Sequence, residues 1–345
     1  MPISIVVGAQ YGSEGKGKVA HYIAETERAC AVVRVGGPNS GHTAYDTHGR
    51  KFIFQQLPTA ALLREPQCVL SAGSYIDVTR LFQEIAFARF DTTRLKIDPM
   101  AVIITESHRL RECDAHLNAS IGSTQTGTGA AVVDRVQRVP TLIFAKDVEV
   151  LRPYLADSKE YLSRMLLRDG RVVIEGTQGF GLSVLHGGYY PYATSRDTTA
   201  AGFLAEVGLS PLAVDDIVLV ARAFPIRVPG NSGPLPNEID WDVVTAESNA
   251  VARLEEVTSV TKKVRRVARF DADIVKAAIQ SNMPTRLVLN HADYFDRRGN
   301  GRSISRAIEA QIASIEERIG RSVDLIGTSG THLFQRPNGR AVRTA

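Results

Sequence analysis

The sequence predicts an α/β fold: a single large domain over residues 1–345, with a mostly parallel central sheet, helices on both faces and a P-loop-like N-terminal phosphate loop. Three observations predict it. Short apolar, β-branched runs recur at 3–7, 31–35, 51–57, 68–71, 101–105, 171–175, 216–221, 286–290 and 323–327, and such runs read as strands buried on both faces. Helical patterns lie between several of them, the alternation that parallel strands need for their crossovers. Glycine-rich polar segments follow several runs directly, and open α/β sheets place their ligands at the carboxyl ends of strands.

The first run, Ile3-Ser4-Ile5-Val6-Val7, empties into Gly8-Ala9-Gln10-Tyr11-Gly12-Ser13-Glu14-Gly15-Lys16-Gly17-Lys18. Glycines let backbone N–H groups turn toward one anion, lysines add charge, and a following helix adds its positive end. Gly12 to Lys18 has the spacing G-x-x-x-x-G-K, but Val19 stands where a P-loop places its magnesium-binding hydroxyl. The run at 31–35 leads into Gly36-Gly37-Pro38-Asn39-Ser40-Gly41-His42-Thr43. A lone histidine is ordinarily a satisfied core or surface group. Set on a glycine turn beside a phosphate loop, His42 becomes a candidate donor to a leaving phosphate oxygen.

Asp77 reads as the cap of a helix running through Phe90, with Val78, Leu81, Phe82, Ile85 and Ala86 on one face. Gly122-Ser123-Thr124-Gln125-Thr126-Gly127-Thr128-Gly129 suits a second anion such as a nucleoside monophosphate, and fits a plain polar loop equally well. The run at 171–175 ends in Glu175-Gly176-Thr177-Gln178-Gly179, where an amide could read a base edge, although a simple turn is the alternative. The stretches 187–191 and 225–236 read as loops. Thr258 to Arg266 combines hydroxyls with clustered cations. Taken alone it is better read as a solvated charge run than as a dicarboxylate grip, and 262–269 reads as a loop. Asp271 caps another helix carrying Ile274, Val275, Ala278 and Ile279. Leu289-Asn290-His291-Ala292-Asp293 is a strand end whose carboxylate could meet a nucleobase or cap a helix. Ser303 opens the last helix, which Gly320 stops.

Composition narrows the function classes. The chain is 44% hydrophobic and 23% charged, with a formal net charge of +4, too small to suggest a nucleic-acid partner. Cys30, Cys68 and Cys113 are odd in number and far apart, which argues against a disulfide frame or zinc site and for a reducing, cytoplasmic setting. No apolar run reaches spanning length, so no membrane partner is expected.

Taken in order, GSEGKGK, GGPNSGHT, EGTQG with HGGYYPYATS, and the basic loop resemble adenylosuccinate synthetase, from about residue 3 to about residue 336. That family moves the γ-phosphate of a nucleoside triphosphate onto the 6-oxygen of a purine monophosphate, and the amine of aspartate then displaces phosphate at carbon 6. The resemblance implies that Gly12, Glu14, Gly15, Lys16, Gly17 and Lys18 hold the triphosphate and its magnesium, with Gly41 and the residue at 13 as metal ligands. It makes His42 the acid on the phosphoryl group, beside Thr43. Asn39, Thr124 and Thr194 would bind the monophosphate, Gln178 the 6-oxygen edge, and Arg138 would reach it from the neighbouring subunit of a homodimer. Val260, Thr261, Lys263 and Arg265 would receive L-aspartate, with Arg265 also near the triphosphate. Asn290, Asp293 and Gly330 would surround the triphosphate's base.

The departure is Ser13, where the family usually carries an aspartate that binds magnesium and takes the proton from N1. A hydroxyl supplies neither the basicity nor the charge. Phage-type relatives, the 2-aminoadenylosuccinate synthetases, carry serine there and use dGMP instead of IMP, which implies a dGMP-using ligase, working in the host cytoplasm if phage-encoded. The alternatives are ordinary use of IMP and a catalytically inactive nucleotide-binding homologue. His291 replaces the lysine of the family's guanine-reading motif, which points to ATP or dATP rather than GTP as donor. Lys263 and Val264 interrupt the arginines of the aspartate loop.

Overall fold

Nine strands form the main sheet among the described residues, in the order His332–Gln335, Leu325–Thr328, Arg286–Asn290, Val214–Arg222, Ile3–Gly8, Val172–Glu175, Ala31–Arg34, Gln67–Leu70 and Leu95–Ile97. The structure is a computed structural model that describes residues 2–258, 262–298 and 303–336. Neighbours in the sheet are parallel except for the His332–Gln335 edge strand, which returns antiparallel to Leu325–Thr328.

The apolar runs explain the layers. Ile3, Ile5 and Val7 pack with Phe203, Leu204, Val275, Ile308 and Ile312 on one face. Those partners come from the helices Ala200–Val207, Ala272–Asn282 and Arg306–Ile319. Val6, Val32, Val173 and Val218 face the other way, onto Val19, Ala20, Ile23 and Ala24 of the helix Lys16–Thr26. Full burial of each Val or Ile contributes roughly 1.5–3 kcal/mol, so strand alternation fixes the register. A satellite core around Phe52, Phe54, Leu70, Leu81 and Ile97 carries the sheet edge.

Asp77 caps the helix Val78–Ala88 by accepting from Arg80 N (3.0 Å), and Asp271 caps Ala272–Asn282 through Asp273 N (3.0 Å). Five expectations need correction. The last helix begins at Arg306, capped by Ser305, not at Ser303; two serines two residues apart offer the same chemistry. Lys51–Phe54 pairs with His42–Tyr45 in a separate hairpin, and Val102–Ile103 pairs with Tyr75–Ile76, with Val102 also bridging Phe144, so neither run joins the main sheet. Two stretches read as loops carry strands: Ile226–Arg227 within 225–236, and Arg266–Ala268 within 262–269, the middle strand of a small sheet with Ile226–Arg227 and Glu238–Ile239. Among the described residues no helix is long and apolar enough to cross a membrane.

Parallel order sends Gly8, Glu175, Arg34, Arg222 and Asn290 out at one end of the sheet. Arg34 lies opposite Glu175, and Arg222 opposite Asn290.

Candidate active site

The loops leaving those strand ends enclose an open cleft of about 1650 Å³. Single-ligand pockets run to roughly 300–1,000 Å³, so this cleft has room for more than one. Its floor is the loop after the first strand. Gly12, Ser13 and Gly15 all hold left-handed backbone, at φ of 89°, 57° and 87°, and Gly15 caps the N-terminus of the helix Lys16–Thr26. The amides around that terminus are an anion site with a positive dipole behind it.

The side chain of Glu14 turns away from the cleft. It is fully buried and accepts from Gln10 N (3.1 Å), Gly12 N (2.8 Å) and Lys16 Nζ (2.7 Å). A Cβ on Gly179 would stand 2.3 Å from its carboxylate, which is why glycine is needed there. Lys16 Nζ also donates to the Gln178 carbonyl. Lys16 therefore locks the loop to the Glu175–Gly179 segment, and only the backbone of Glu14 is left for a phosphate.

His42 stands beside this loop. A Cβ on Gly17 would come within 2.9 Å of His42 Cβ, so that glycine lets the ring approach the helix terminus. His42 Nδ1 bonds Glu175 Oε1 at 2.5 Å, and Arg34 Nη1 reaches the same oxygen at 3.0 Å. Glu175 Oε2 accepts from Thr59 N and Thr59 Oγ1, both at 2.8 Å. Burial opposes the charge on Glu175, but His42, Arg34 and Thr59 outweigh it and hold the carboxyl at about 2. Burial, reinforced by the Arg34 charge, pushes His42 down to about 4. The ring is therefore neutral at neutral pH. Nδ1 meets both the Glu175 carboxylate and the Arg34 guanidinium; assigning the proton to Nδ1 as donor to the carboxylate leaves Nε2 for the cleft that the ring lines. Arg34 Nη2 pins the same segment through Ser40 O (3.1 Å) and Ser40 Oγ (3.2 Å).

On the other side of the first strand, Arg222 is fully buried and donates to the Ser13 carbonyl at 3.0 Å. It also pairs with Glu256, whose Oε1 accepts from Tyr294 Oη at 3.0 Å. Burial again opposes the carboxylate, and Arg222, His291 and Arg265 hold Glu256 at about 2. Burial and Arg222 push His291 down to about 3. Asn290 Nδ2 donates to Glu14 O (2.7 Å), tying this strand end to the phosphate loop.

The remaining walls are loops. Thr124 and Thr126 face each other across 3.4 Å, and Thr126 reaches Thr128 at 3.1 Å. The amides of Gly127 (2.8 Å), Gly129 (2.7 Å) and Ala130 (3.2 Å) all donate to Glu112, so the chain's own carboxylate fills the helix terminus there. Thr124, Thr126 and Thr128 line the cleft, so this loop offers it hydroxyls, while those three amides are already used. Asn39, Thr43, Gln178, Thr194, Lys263 and Arg265 also line the cleft. Lys263 and Arg265 flank Val264, which pairs with Val257 in a single antiparallel bridge. Val260 and Thr261 lie outside the described residues. Arg138, at the end of the helix Thr128–Gln137, is exposed and absent from its own chain's cleft. Among the described residues no three His, Cys, Asp or Glu side chains gather into a metal cage. Ser13 and Gly41 line the cleft as neutral donors, which fits a magnesium ion that enters on phosphates and keeps several waters.

Sequence reading missed Arg34, Glu175, Arg222, Glu256 and Arg227. Arg227 stacks 4.6 Å over the Tyr11 ring and donates to Pro234 O (2.7 Å). The readable signal was a charged residue ending an otherwise apolar strand, as at Arg34, Glu175 and Arg222.

The comparisons bear on the whole chain. The family model for adenylosuccinate synthetase matches residues 5–145 and 141–300. The adenylosuccinate synthetase of Methanococcus aeolicus is 37% identical over 343 residues, covering 97% of this chain and 98% of that one. That of Methanocaldococcus jannaschii is 38% identical over 340 residues, covering 96% and 95%. Among solved structures, the cyanophage S-2L succinoaminodeoxyadenylate synthetase bound to dGMP and dATP superposes with a TM-score of 0.81 at 29% identity, over 98% and 96% of the two chains. The fully ligated adenylosuccinate synthetase of Plasmodium falciparum gives 0.82 at 19% identity, over 96% and 99%, a likeness of fold.

Proposed function

This chain belongs to the adenylosuccinate synthetase family and is a nucleoside-triphosphate-dependent carbon–nitrogen ligase; we propose that its purine is dGMP and its product 2-amino-2′-deoxyadenylosuccinate, a precursor for 2-aminoadenine DNA. The observation that carries the proposal is Ser13. It stands at the left-handed apex of the phosphate loop and lines the cleft with a hydroxyl, not a carboxylate. Guanine adds a 2-amino group beside N1–H, and a small hydroxyl leaves room for that group and can accept from it. The cyanophage enzyme, which holds dGMP and dATP, supports the same purine. The second reading, use of IMP, is favoured by the archaeal relatives, which are named as ordinary synthetases.

In the proposed reaction N1 gives up its proton to solvent, the 6-oxygen bonds the γ-phosphorus, the bond from that phosphorus to the β–γ bridging oxygen breaks and the nucleoside diphosphate leaves, which turns a poor leaving group at carbon 6 into phosphate. The aspartate amine then bonds carbon 6, the carbon–oxygen bond breaks, and phosphate departs. Gly15, Lys16, Gly17 and Lys18 hold the triphosphate, with its base toward Asn290, Asp293 and Gly330. His42, oriented through Glu175, gives a proton to the phosphoryl oxygens once their charge has drawn one onto Nε2. Gln178 faces the 6-oxygen edge, while Asn39, Thr124 and Thr194 hold the monophosphate. Lys263 and Arg265, with Val260 and Thr261, receive the aspartate carboxylates. Ser13 and Gly41, with the phosphates, would hold magnesium, which would supply counter-charge to the transferring group. Arg138 serves the neighbouring site in a homodimer, and the chain works as one unit. ATP or dATP is the donor.

The test is phosphate release by pure protein with ATP, magnesium and aspartate, comparing dGMP with IMP. Aspartate-dependent release with dGMP well above IMP is expected. Turnover of IMP alone sinks the dGMP assignment, and release indifferent to aspartate sinks the ligase chemistry.

A further inference from the structure

Arg227 ends the strand Ile226–Arg227, is 2% exposed and borders the cleft together with Val228. Its guanidinium touches three loops at once. Nη2 donates to Tyr192 O (3.2 Å), in the turn that leads to Thr194, and Nη1 donates to Pro234 O (2.7 Å), at the end of the loop after Val228. Its carbon lies 4.6 Å from the centre of the Tyr11 ring and 5.9 Å from that of Tyr189. Gly233, at φ 93°, makes room for this fork: a Cβ there would stand 2.5 Å from Arg227 Nη1 and 2.5 Å from Tyr192 Cβ. The charged and titratable groups acting on Arg227 are Tyr11, Arg266 and Tyr189, with no carboxylate among them. Burial pulls the guanidinium down to about 10, so it is still a cation at neutral pH, while burial pushes the Tyr11 phenol up and keeps it neutral. A buried cation without a counter-charge is a costly way to fasten loops. Only a planar fork that also stacks on a ring can make these contacts together.

We propose that Arg227 positions the monophosphate half of the cleft, by fastening the turn that carries Thr194 and the loop after Val228 against Tyr11, two residues before Ser13. The inference rests on the reading above that Thr194 binds the purine monophosphate. The turn's other backbone tethers, Tyr192 N to Tyr189 O (2.8 Å) and Thr194 N to Leu182 O (2.7 Å), stay within its own segment. The bond from Arg227 is what ties it to the small sheet. The triphosphate half does not depend on this side chain. There Lys16 Nζ holds Glu14 (2.7 Å) and the Gln178 carbonyl, and Asn290 Nδ2 holds Glu14 O (2.7 Å). Loss of Arg227 should therefore separate the two ligands, weakening the monophosphate and sparing the triphosphate.

The experiment is calorimetric binding of dGMP, of IMP and of a non-hydrolysable ATP analogue to the full chain, as wild type, Arg227→Met, Arg227→Lys, Gly233→Ala and Thr194→Ala. Arg227→Met keeps the stem and removes the fork. It should weaken whichever monophosphate the wild type binds by about tenfold, the scale of one hydrogen bond to a charged group, and leave the ATP analogue within about threefold. Gly233→Ala drives a methyl into the fork and should reproduce that split with Arg227 intact. Arg227→Lys keeps the charge but not the planar fork. It should show the same split at smaller size, and it decides the matter if Arg227→Met does not fold. A merely structural role would weaken the monophosphates and the ATP analogue together. Unchanged monophosphate binding in the Arg227 variants, or an equal loss for both kinds of ligand, overturns the positioning role; a loss of about tenfold in Thr194→Ala then leaves the site reading standing. Unchanged monophosphate binding in Thr194→Ala, or a wild type that binds neither dGMP nor IMP, overturns both.

Discussion

Two buried arginine–glutamate pairs flank the phosphate loop, and they are built differently. Arg34 and Glu175 lie opposite one another on adjacent strands, and every oxygen of Glu175 is engaged by His42, Arg34 or Thr59. Arg222 ends a strand, but its partner Glu256 rides on a loop and keeps a fifth of its side chain exposed. The first pair is scaffold for one imidazole. The second joins the Ser13 carbonyl of the phosphate loop to Tyr294, and solvent screens it more. In the mechanism proposed above, the difference places the acid on the sheet and leaves recognition of the purine to loops.

The largest test of that contrast is His42→Ala. With the oriented acid gone, aspartate-dependent phosphate release should fall by about 10²–10⁴-fold; a loss under fivefold would mean the strand-built side does not serve the chemistry. Glu175→Gln comes next. It leaves Arg34 buried without its counter-charge, and such breaks cost about 3–5 kcal/mol, read as a lowered urea midpoint. Glu256→Gln should cost less, about 1–3 kcal/mol, because the partly exposed site lets water replace the lost charge. Equal losses for the two glutamines would break the comparison.

Acid titration sharpens it further. His42 and His291 are held neutral at about 4 and about 3, below their ordinary 6.5. The unfolded chain therefore binds more protons as pH drops below that value, and stability falls from there. Glu175 and Glu256, depressed from 4.5 to about 2, stabilise the fold above 4.5 and lose that contribution as pH falls toward 2. The urea midpoint should decline continuously from pH 6.5 downward, and His42→Asn should flatten the portion between 6.5 and 4. The smallest expected effect is that of Ser13→Asp, which adds a carboxylate where Glu256 is already ionised. It should lower dGMP use relative to IMP by about tenfold, the scale of one hydrogen bond to a charged group. Unchanged selectivity would remove Ser13 from the specificity argument.

Much of the phosphate side was legible because its determinants are contiguous. Gly12 to Lys18, the turn before His42, and the strand ends at Gln178 and Asp293 each sit beside a strand that announces itself by composition. The buried pairs were not legible, since Arg34 meets Glu175 across 141 positions and Arg222 meets Glu256 across 34. Strand order brings the first pair together and a loop brings Glu256 to Arg222. The strands of the small sheet, two or three residues long, carry no readable period. The carboxylate of Glu112 shows another limit: a loop shaped for an anion gave no sign that the chain supplies its own.

The register that sets Arg34 against Glu175 has a bearing on how such a chain can vary. Segments between strands can lengthen or shorten at modest entropic cost, but one inserted residue in Ala31–Arg34 or Val172–Glu175 would turn a charged side chain through the sheet to its opposite face. Indels should therefore be tolerated at surface turns such as Thr47–Gly49 and lethal to turnover in those two strands.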